Sequence, residues 1–262
     1  MRSQGSYTEV AQAQPGAVAS SAAAPGGWLA QGAPAAEAIR SLEGVGSGVR
    51  PDLSRRGYRL IKRAFDVAAS GCAIVVLLVP GALLCAAICI KSPGASPLYG
   101  QLRVGRVNPD GTYRLFRMWK FRSMVPHADE MLGQLQAANE ADGPLFKIRD
   151  DPRIIPGLGQ FIRRHSIDEL PQLINVFLGD MSLIGPRPGL PGEVLQYDAR
   201  AMRRLTVKPG CGGTWQAGER SDSTFEGMVD ADLDYVERRS ISCDLRLIFG
   251  TVRSMLSGKG AY

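Results

Sequence analysis

Hydrophobic positions are spread unevenly along the chain, and the unevenness divides it into three parts. Residues 67–90 form an uncharged, mostly apolar stretch interrupted by Pro80-Gly81. Its length meets the roughly 20 residues needed to cross a bilayer core. Proline removes a helix hydrogen bond and glycine loosens the backbone, so a bend is expected at that pair. Basic residues stand at both ends: Arg55, Arg56, Arg59, Lys62 and Arg63 before the stretch, and Lys91, Arg103 and Arg106 after it. The positive-inside tendency draws both flanks to the cytoplasm. The pattern therefore favours a re-entrant helical hairpin, broken at Pro80, over a simple crossing that tolerates the proline.

Residues 1–57 are rich in Ala, Gly, Pro, Ser and Gln and keep no sustained period, which predicts a disordered tail without the pattern of a signal peptide. Beyond the apolar stretch, residues 113–121 mix apolar and basic positions and read as a strand or an interfacial segment. A polar helix is predicted over 129–141, ended by Gly143-Pro144, and short amphipathic helices over 161–164 and 170–178. Residues 193–205 predict one helix with a basic face carrying Arg200, Arg203 and Arg204. Another is predicted over 230–256, with Arg238, Arg239, Arg246 and Arg253 on its polar side. Such helices suit an anionic membrane surface. The expected fold is mainly α with minor β (α+β). Its parts are a tail (1–57), a basic flank with the re-entrant helix (58–92), and a domain with interfacial helices (93–262).

Composition narrows the partners. With 262 residues and a net charge of +6, the chain holds one moderate domain plus appendages. Its arginines sit beside membrane-like segments and match no nucleic-acid motif, so an inner-leaflet anionic lipid is the expected surface and nucleic acid is not. Five cysteines, at positions 72, 85, 89, 211 and 243, show no disulfide or zinc spacing and read as reduced packing residues. Two histidines exclude a histidine-rich metal site.

Candidate chemistry concentrates in Ser166-Ile167-Asp168-Glu169-Leu170-Pro171-Gln172-Leu173. Ser166 and Glu169 fit a capping box, while Pro171 is better tolerated if Asp168 is the cap. Either register presents Asp168 and Glu169 at a helix start, where free amides favour carboxylates and phosphate. Downstream come Gly179-Asp180-Met181-Ser182 and Gly185-Pro186-Arg187-Pro188. Arg187, fixed between prolines, suits a bidentate phosphate clamp. Lys120, Arg122 and Arg163 are candidates to add positive field around a bound phosphate, or are solvated or lipid-facing charges.

Taken in order, these segments resemble the bacterial sugar transferase family, the monotopic polyprenyl-phosphate phosphoglycosyltransferases. The resemblance runs from Arg59 to Tyr262 and rests on Lys62-Arg63-x-x-Asp66, Lys120-Phe121-Arg122-Ser123-Met124, Phe146-Lys147-Ile148-Arg149-Asp150-Asp151-Pro152-Arg153, the Asp168 segment, the Gly179 and Gly185 segments and Val207-Lys208-Pro209-Gly210. It implies transfer of a sugar 1-phosphate from a UDP-sugar to undecaprenyl phosphate with release of UMP, at the cytoplasmic face of the bacterial inner membrane. Asp168 is then the nucleophile, Glu169 holds Mg2+, and Arg220 keeps an arginine role at the substrate. The ending Gly258-Lys259-Gly260-Ala261-Tyr262 is similar to members that start exopolysaccharide or capsule repeats, with polysaccharide-assembly proteins as further partners. Two departures stand out. Val79 precedes Pro80 where many members place serine, and Cys211-Gly212 stands where many read Ile-Thr. A non-catalytic membrane-surface scaffold is the competing reading; it explains the charge and the apolar stretch but not the acid pair.

Overall fold

The computed structural model describes residues 33–42, 46–128, 130–131, 135, 148, 150–214 and 224–257. The elements run α1 (Ala33–Leu42), α2 (Arg56–Lys91), β1 (Leu98–Val104), β2 (Leu115–Phe121), α3 (Leu158–Arg164), a 3-10 turn (Ile167–Glu169) and α4 (Gln172–Leu178). They continue with β3 (Ser182–Ile184), α5 (Pro191–Val194), α6 (Ala199–Met202), a 3-10 turn (Arg203–Thr206), β4 (Gly210–Gly212), α7 (Phe225–Arg238) and α8 (Ile241–Ser257). The mainly helical α+β expectation holds.

Between its basic flanks the chain forms one helix, α2, long and apolar enough to cross a membrane. Pro80 lies inside it, and the helix is continuous through that residue rather than broken there as expected. Proline withholds one N–H, but continuing the helix keeps the remaining backbone groups paired, which an apolar surrounding demands. Both halves of α2 are held by the same domain. Near its start, Arg63 donates to the carbonyls of Val176 (2.6 Å) and Phe177 (2.8 Å) at the end of α4. One turn on, Asp66 accepts from the Ser182 hydroxyl (2.8 Å) and the Leu183 amide (3.1 Å). A Cβ at Gly71 would stand 3.3 Å from the Phe177 ring, so this glycine lets α4 approach closely. At the far end Ile88 is fully buried with Ile155 and Ile162, contributing about 1.5–3 kcal/mol. Between these anchors Val75, Val76, Leu78, Val79 and Leu83 face outward.

Two small sheets fix the rest. β1 and β2 form an antiparallel pair in which Tyr99 faces Lys120, resolving residues 115–121 as a strand. β3 and β4 pair in parallel, joining Ser182 to Gly210 and Ile184 to Gly212. The latter pairing needs glycine: a Cβ on Gly210 would meet the Gly185 nitrogen and leave no room for the strands to approach.

Three expected elements differ. Residues 193–205 are not one helix but α5, α6 and a 3-10 turn, because the Asp198 carboxylate accepts from the Ala201 amide (2.7 Å) and starts a new helix. Its basic face also divides: Arg204 is buried against Asp232 (2.7 Å), while Arg200 and Arg203 form exposed ion pairs. The expected helix over 230–256 is two, since the Ser240 hydroxyl accepts from the Cys243 amide (3.2 Å) at the start of α8. Residues 33–42 and 46–55, expected in the tail, instead form α1 and a segment packed on the domain. Leu42 joins Val104, Val107, Val194 and Leu205 in a core cluster, and Ser47 donates to the Gly111 carbonyl at 2.6 Å. Burying Leu42 and Ala38 offsets the ordering of a segment whose Ala-rich composition reads as tail. The helix expected over 129–141 falls almost wholly outside the described residues, as do residues 1–32 of the tail.

Candidate active site

The acid pair sits in the 3-10 turn that enters α4. Ser166 opens the turn in the left-handed region, at φ 53°, and its side chain makes no capping hydrogen bond. The expected capping box is therefore absent; the Ser166 carbonyl accepts from the Glu169 amide instead (3.1 Å). In that left-handed backbone the serine cannot act as an ordinary N-cap, whose backbone is extended. Pro171 then stands immediately before α4, where its missing donor costs little.

Lys120, near the end of β2, reaches both acids. Its ammonium lies 2.9 Å from Glu169 Oε1 and 3.6 Å from Asp168 Oδ2. Asp168 is buried, at 9 % exposure. Burial pushes its carboxyl above the ordinary aspartate value. Lys120 opposes the shift, the Glu169 charge adds to it, and Arg163, at the end of α3, pulls it back down. The ionised form of this carboxylate is thus disfavoured by burial and Glu169 and favoured by two cations.

The side chain that fixes this geometry is Asn175, which pattern reading missed. From within α4 its Oδ1 accepts from the Trp119 amide (3.0 Å), and its Nδ2 donates to the Arg117 carbonyl (2.8 Å). It thus substitutes for a neighbouring strand along β2 and locks Lys120's strand to the helix that follows the acids. The available signal was a single amide inside the apolar run Leu173-Ile174-Asn175-Val176-Phe177.

The Gly185-Pro186-Arg187-Pro188 loop is held from two sides. Arg204 donates to the Arg187 carbonyl (3.1 Å), and Arg103 donates to the Pro188 carbonyl (2.9 Å). Arg103 is buried and was also missed as a site residue; it ties this loop to β1. Burial and the Arg187 charge disfavour its cation, while Glu193 and, more weakly, Glu169 favour it. Arg187, Arg103 and Glu169 therefore share one electrostatic neighbourhood. Cys211, where the family pattern departs, lies in the field of Glu169; burial pushes its thiol strongly up, so it is a packing group rather than a thiolate.

Arg122 does not join the site. Its Nε donates to the Ser96 carbonyl (2.8 Å), Nη1 to Ser92 Oγ (2.8 Å) and to the Met124 carbonyl (3.4 Å), and Nη2 to the carbonyls of Ser92 (2.5 Å) and Ala95 (3.0 Å). All five N–H groups are committed to closing the end of α2, leaving none for phosphate. Arg220 lies outside the described residues. Asp168 and Glu169 supply hard oxygen donors suited to magnesium, which commonly uses one or two protein carboxylates with substrate phosphates completing the shell. Among the described residues no group of three His, Cys, Asp or Glu side chains could form a metal site by itself.

The site thus combines a buried aspartate and a half-buried glutamate beside one lysine, a clamped Pro-Arg-Pro loop and a long apolar helix. The chain belongs to the bacterial sugar transferase family, whose profile matches residues 57–258. It is 37% identical over 222 residues to the undecaprenyl-phosphate galactose phosphotransferase of Salmonella typhimurium, covering 82% of this chain and 44% of that protein. It is 34% identical over 214 residues to the UDP-glucose:undecaprenyl-phosphate glucose-1-phosphate transferase of Escherichia coli, covering 78% and 42%. With the exopolysaccharide production protein ExoY of Rhizobium meliloti it shares 35% identity over 207 residues, covering 78% and 88%. The chain thus spans less than half the length of the first two relatives and most of the third.

Proposed function

We propose that the protein transfers a sugar 1-phosphate from a UDP-sugar to undecaprenyl phosphate, the first membrane step of exopolysaccharide or capsule assembly. The carrying observation is the buried Asp168 carboxylate 3.6 Å from the Lys120 ammonium, with Glu169 bonded to the same lysine. An Asp168 oxygen attacks the phosphorus next to the sugar; the phosphorus–oxygen bond to UMP breaks and UMP leaves. An oxygen of undecaprenyl phosphate then attacks the aspartyl phosphosugar, and the Asp168 carboxylate is restored. Lys120 and Arg163 hold Asp168 ionised between turnovers, and Arg187 meets the diphosphate. Glu169, with Asp168 beside it, would hold Mg2+, which supplies positive charge against the anionic diphosphate.

The reading places the chain at the cytoplasmic face of the inner membrane. Apolar side chains are left exposed on α2, and also at Phe161 on α3, at Ile174, Phe177 and Leu178 on α4, and at Leu245, Phe249 and Val252 on α8, groups suited to lipid. Relatives named for galactose and for glucose leave the sugar to experiment. A panel of radiolabelled UDP-sugars with undecaprenyl phosphate is expected to give lipid-extractable label and equimolar UMP with one sugar preferred. Absence of lipid label with every sugar refutes the activity, and undiminished turnover in excess EDTA removes magnesium from it.

A further inference from the structure

Away from the acid pair, the start of α2 and the segment before β4 enclose a cavity of about 400 Å3. Its wall includes Arg59, Arg63, Arg106 and Lys208, an unusual density of cations for one hollow. The acids nearby are already engaged. Asp66 is bonded to Ser182 and Leu183, Asp52 to Arg239, and Asp244 to Lys62 and Tyr58. Arg63 donates to carbonyls of α4. Among the described residues, Arg59, Arg106 and Lys208 have no carboxylate partner, and Arg59 Nε is buried without a hydrogen bond. Burial holds the Lys208 ammonium down to about 8, with Arg63 and Arg106 adding to the effect. The Arg106 cation is disfavoured in the same way, by burial and by Arg59. Like charges gathered in one hollow are unfavourable; Asp66 offsets the effect on Lys208 only in part, and a bound anion would offset the rest.

We infer that this cavity is a binding site for the phosphate group of an anionic membrane lipid, separate from the transfer site. Phosphate chemistry follows from the two guanidinium groups and the ammonium, which offer several charge-assisted donors to one oxyanion. The lipid source follows from the rim. Leu60 lines the cavity yet is 72 % exposed, and Ile61 and Phe65 beside it on α2 are exposed as well, so acyl chains have apolar surface to follow. Such a site ties the start of α2, and through Asp66 the β3 strand, to the headgroup layer. It rests on binding alone and stands or falls independently of the transfer chemistry.

The test titrates the full chain in neutral detergent with short-chain phosphatidylglycerol, short-chain phosphatidylcholine or inorganic phosphate, read by calorimetry. Phosphatidylglycerol is expected to bind at least about tenfold tighter than phosphatidylcholine. Arg106→Gln, Arg59→Gln and Lys208→Gln should each weaken it about tenfold, the scale of one charge-assisted hydrogen bond. Arg106→Lys should retain most of the affinity, and Arg200→Gln, outside the cavity, should retain all of it. Folding is checked by circular dichroism, and any one of the three cavity variants that folds suffices for the comparison. Equal affinity for the two lipids, unchanged binding in the folded cavity variants, or an equal loss in Arg200→Gln overturns the site. Inorganic phosphate binding as tightly as phosphatidylglycerol overturns the lipid source and assigns the cavity to a soluble phosphate.

Discussion

Asp66 and Asp168 are both buried carboxylates in this fold, and their surroundings differ in kind. Asp66, 3 % exposed, has one oxygen on the Ser182 hydroxyl and the other on the Leu183 amide. Both donors are neutral and fixed in β3. Asp168, 9 % exposed, pairs instead with a lysine ammonium at 3.6 Å, beyond ordinary hydrogen-bond length. A carboxylate whose lone pairs are occupied by fixed donors joins two elements; one that faces a cation across a short gap keeps an oxygen for chemistry. The difference teaches that burial of an acid does not by itself mark a catalytic group, whereas the nature of its partners does.

The largest effect on stability is expected at the anchoring acid. Asp66→Ala leaves the Ser182 hydroxyl and the Leu183 amide buried without a partner, and should lower stability by about 2–4 kcal/mol, measured by thermal or denaturant unfolding in detergent. Transfer measured below the unfolding range should fall much less than in variants of Asp168. If Asp66→Ala instead abolished turnover at unchanged stability, the contrast between the two acids would break.

A smaller effect is expected at Lys120. Removing its charge in Lys120→Met should reduce transfer about 10²-fold, as loss of one preorganised electrostatic group commonly does. It should also move the acid limb of the pH–activity profile. Asp168 already titrates above its ordinary 3.8 through burial, and Lys120 opposes that shift. Without the cation the carboxylate is less favoured, so the limb moves to higher pH. The sign for stability is the reverse of that for activity. A raised carboxyl favours the folded state most below the ordinary aspartate range, and that contribution is lost as pH rises through the folded value. A limb that stays in place in Lys120→Met, recorded as kcat/KM against pH, would show that the lysine does not act on Asp168.

The acid pair and its lysine were legible in the chain because short, rigid motifs in a fixed order bring them together. Arg122 was not, for a definite reason. A sequence displays its cation but not the Ser92 hydroxyl and the carbonyls of Ser92, Ala95, Ser96 and Met124 that occupy its N–H groups. Pattern reading also merged α7 with α8, since apolar spacing continues across Ser240 while the cap that divides the helices depends on one hydroxyl. The segment from Ala33 to Leu42 was read as tail because its composition is poor in large apolar groups, yet two side chains on one face were enough to dock it. Pro80 was read as the site of a hairpin turn, whereas the helix continues through it. The flanking charges predicted both ends of the stretch on one side of a membrane; the structure adds that both ends are anchored to one domain, at Arg63, Asp66 and Ile88.

The role of Asp168 is tested most directly by incubating the purified full chain with its preferred UDP-sugar, without undecaprenyl phosphate, and measuring intact and peptide masses. A sugar-phosphate adduct is expected on the peptide containing Asp168, released when undecaprenyl phosphate is added, and absent from a folded Asp168→Asn variant that has lost transfer. Full transfer by Asp168→Asn, or an undiminished adduct on that variant, would contradict the assignment of Asp168 as nucleophile.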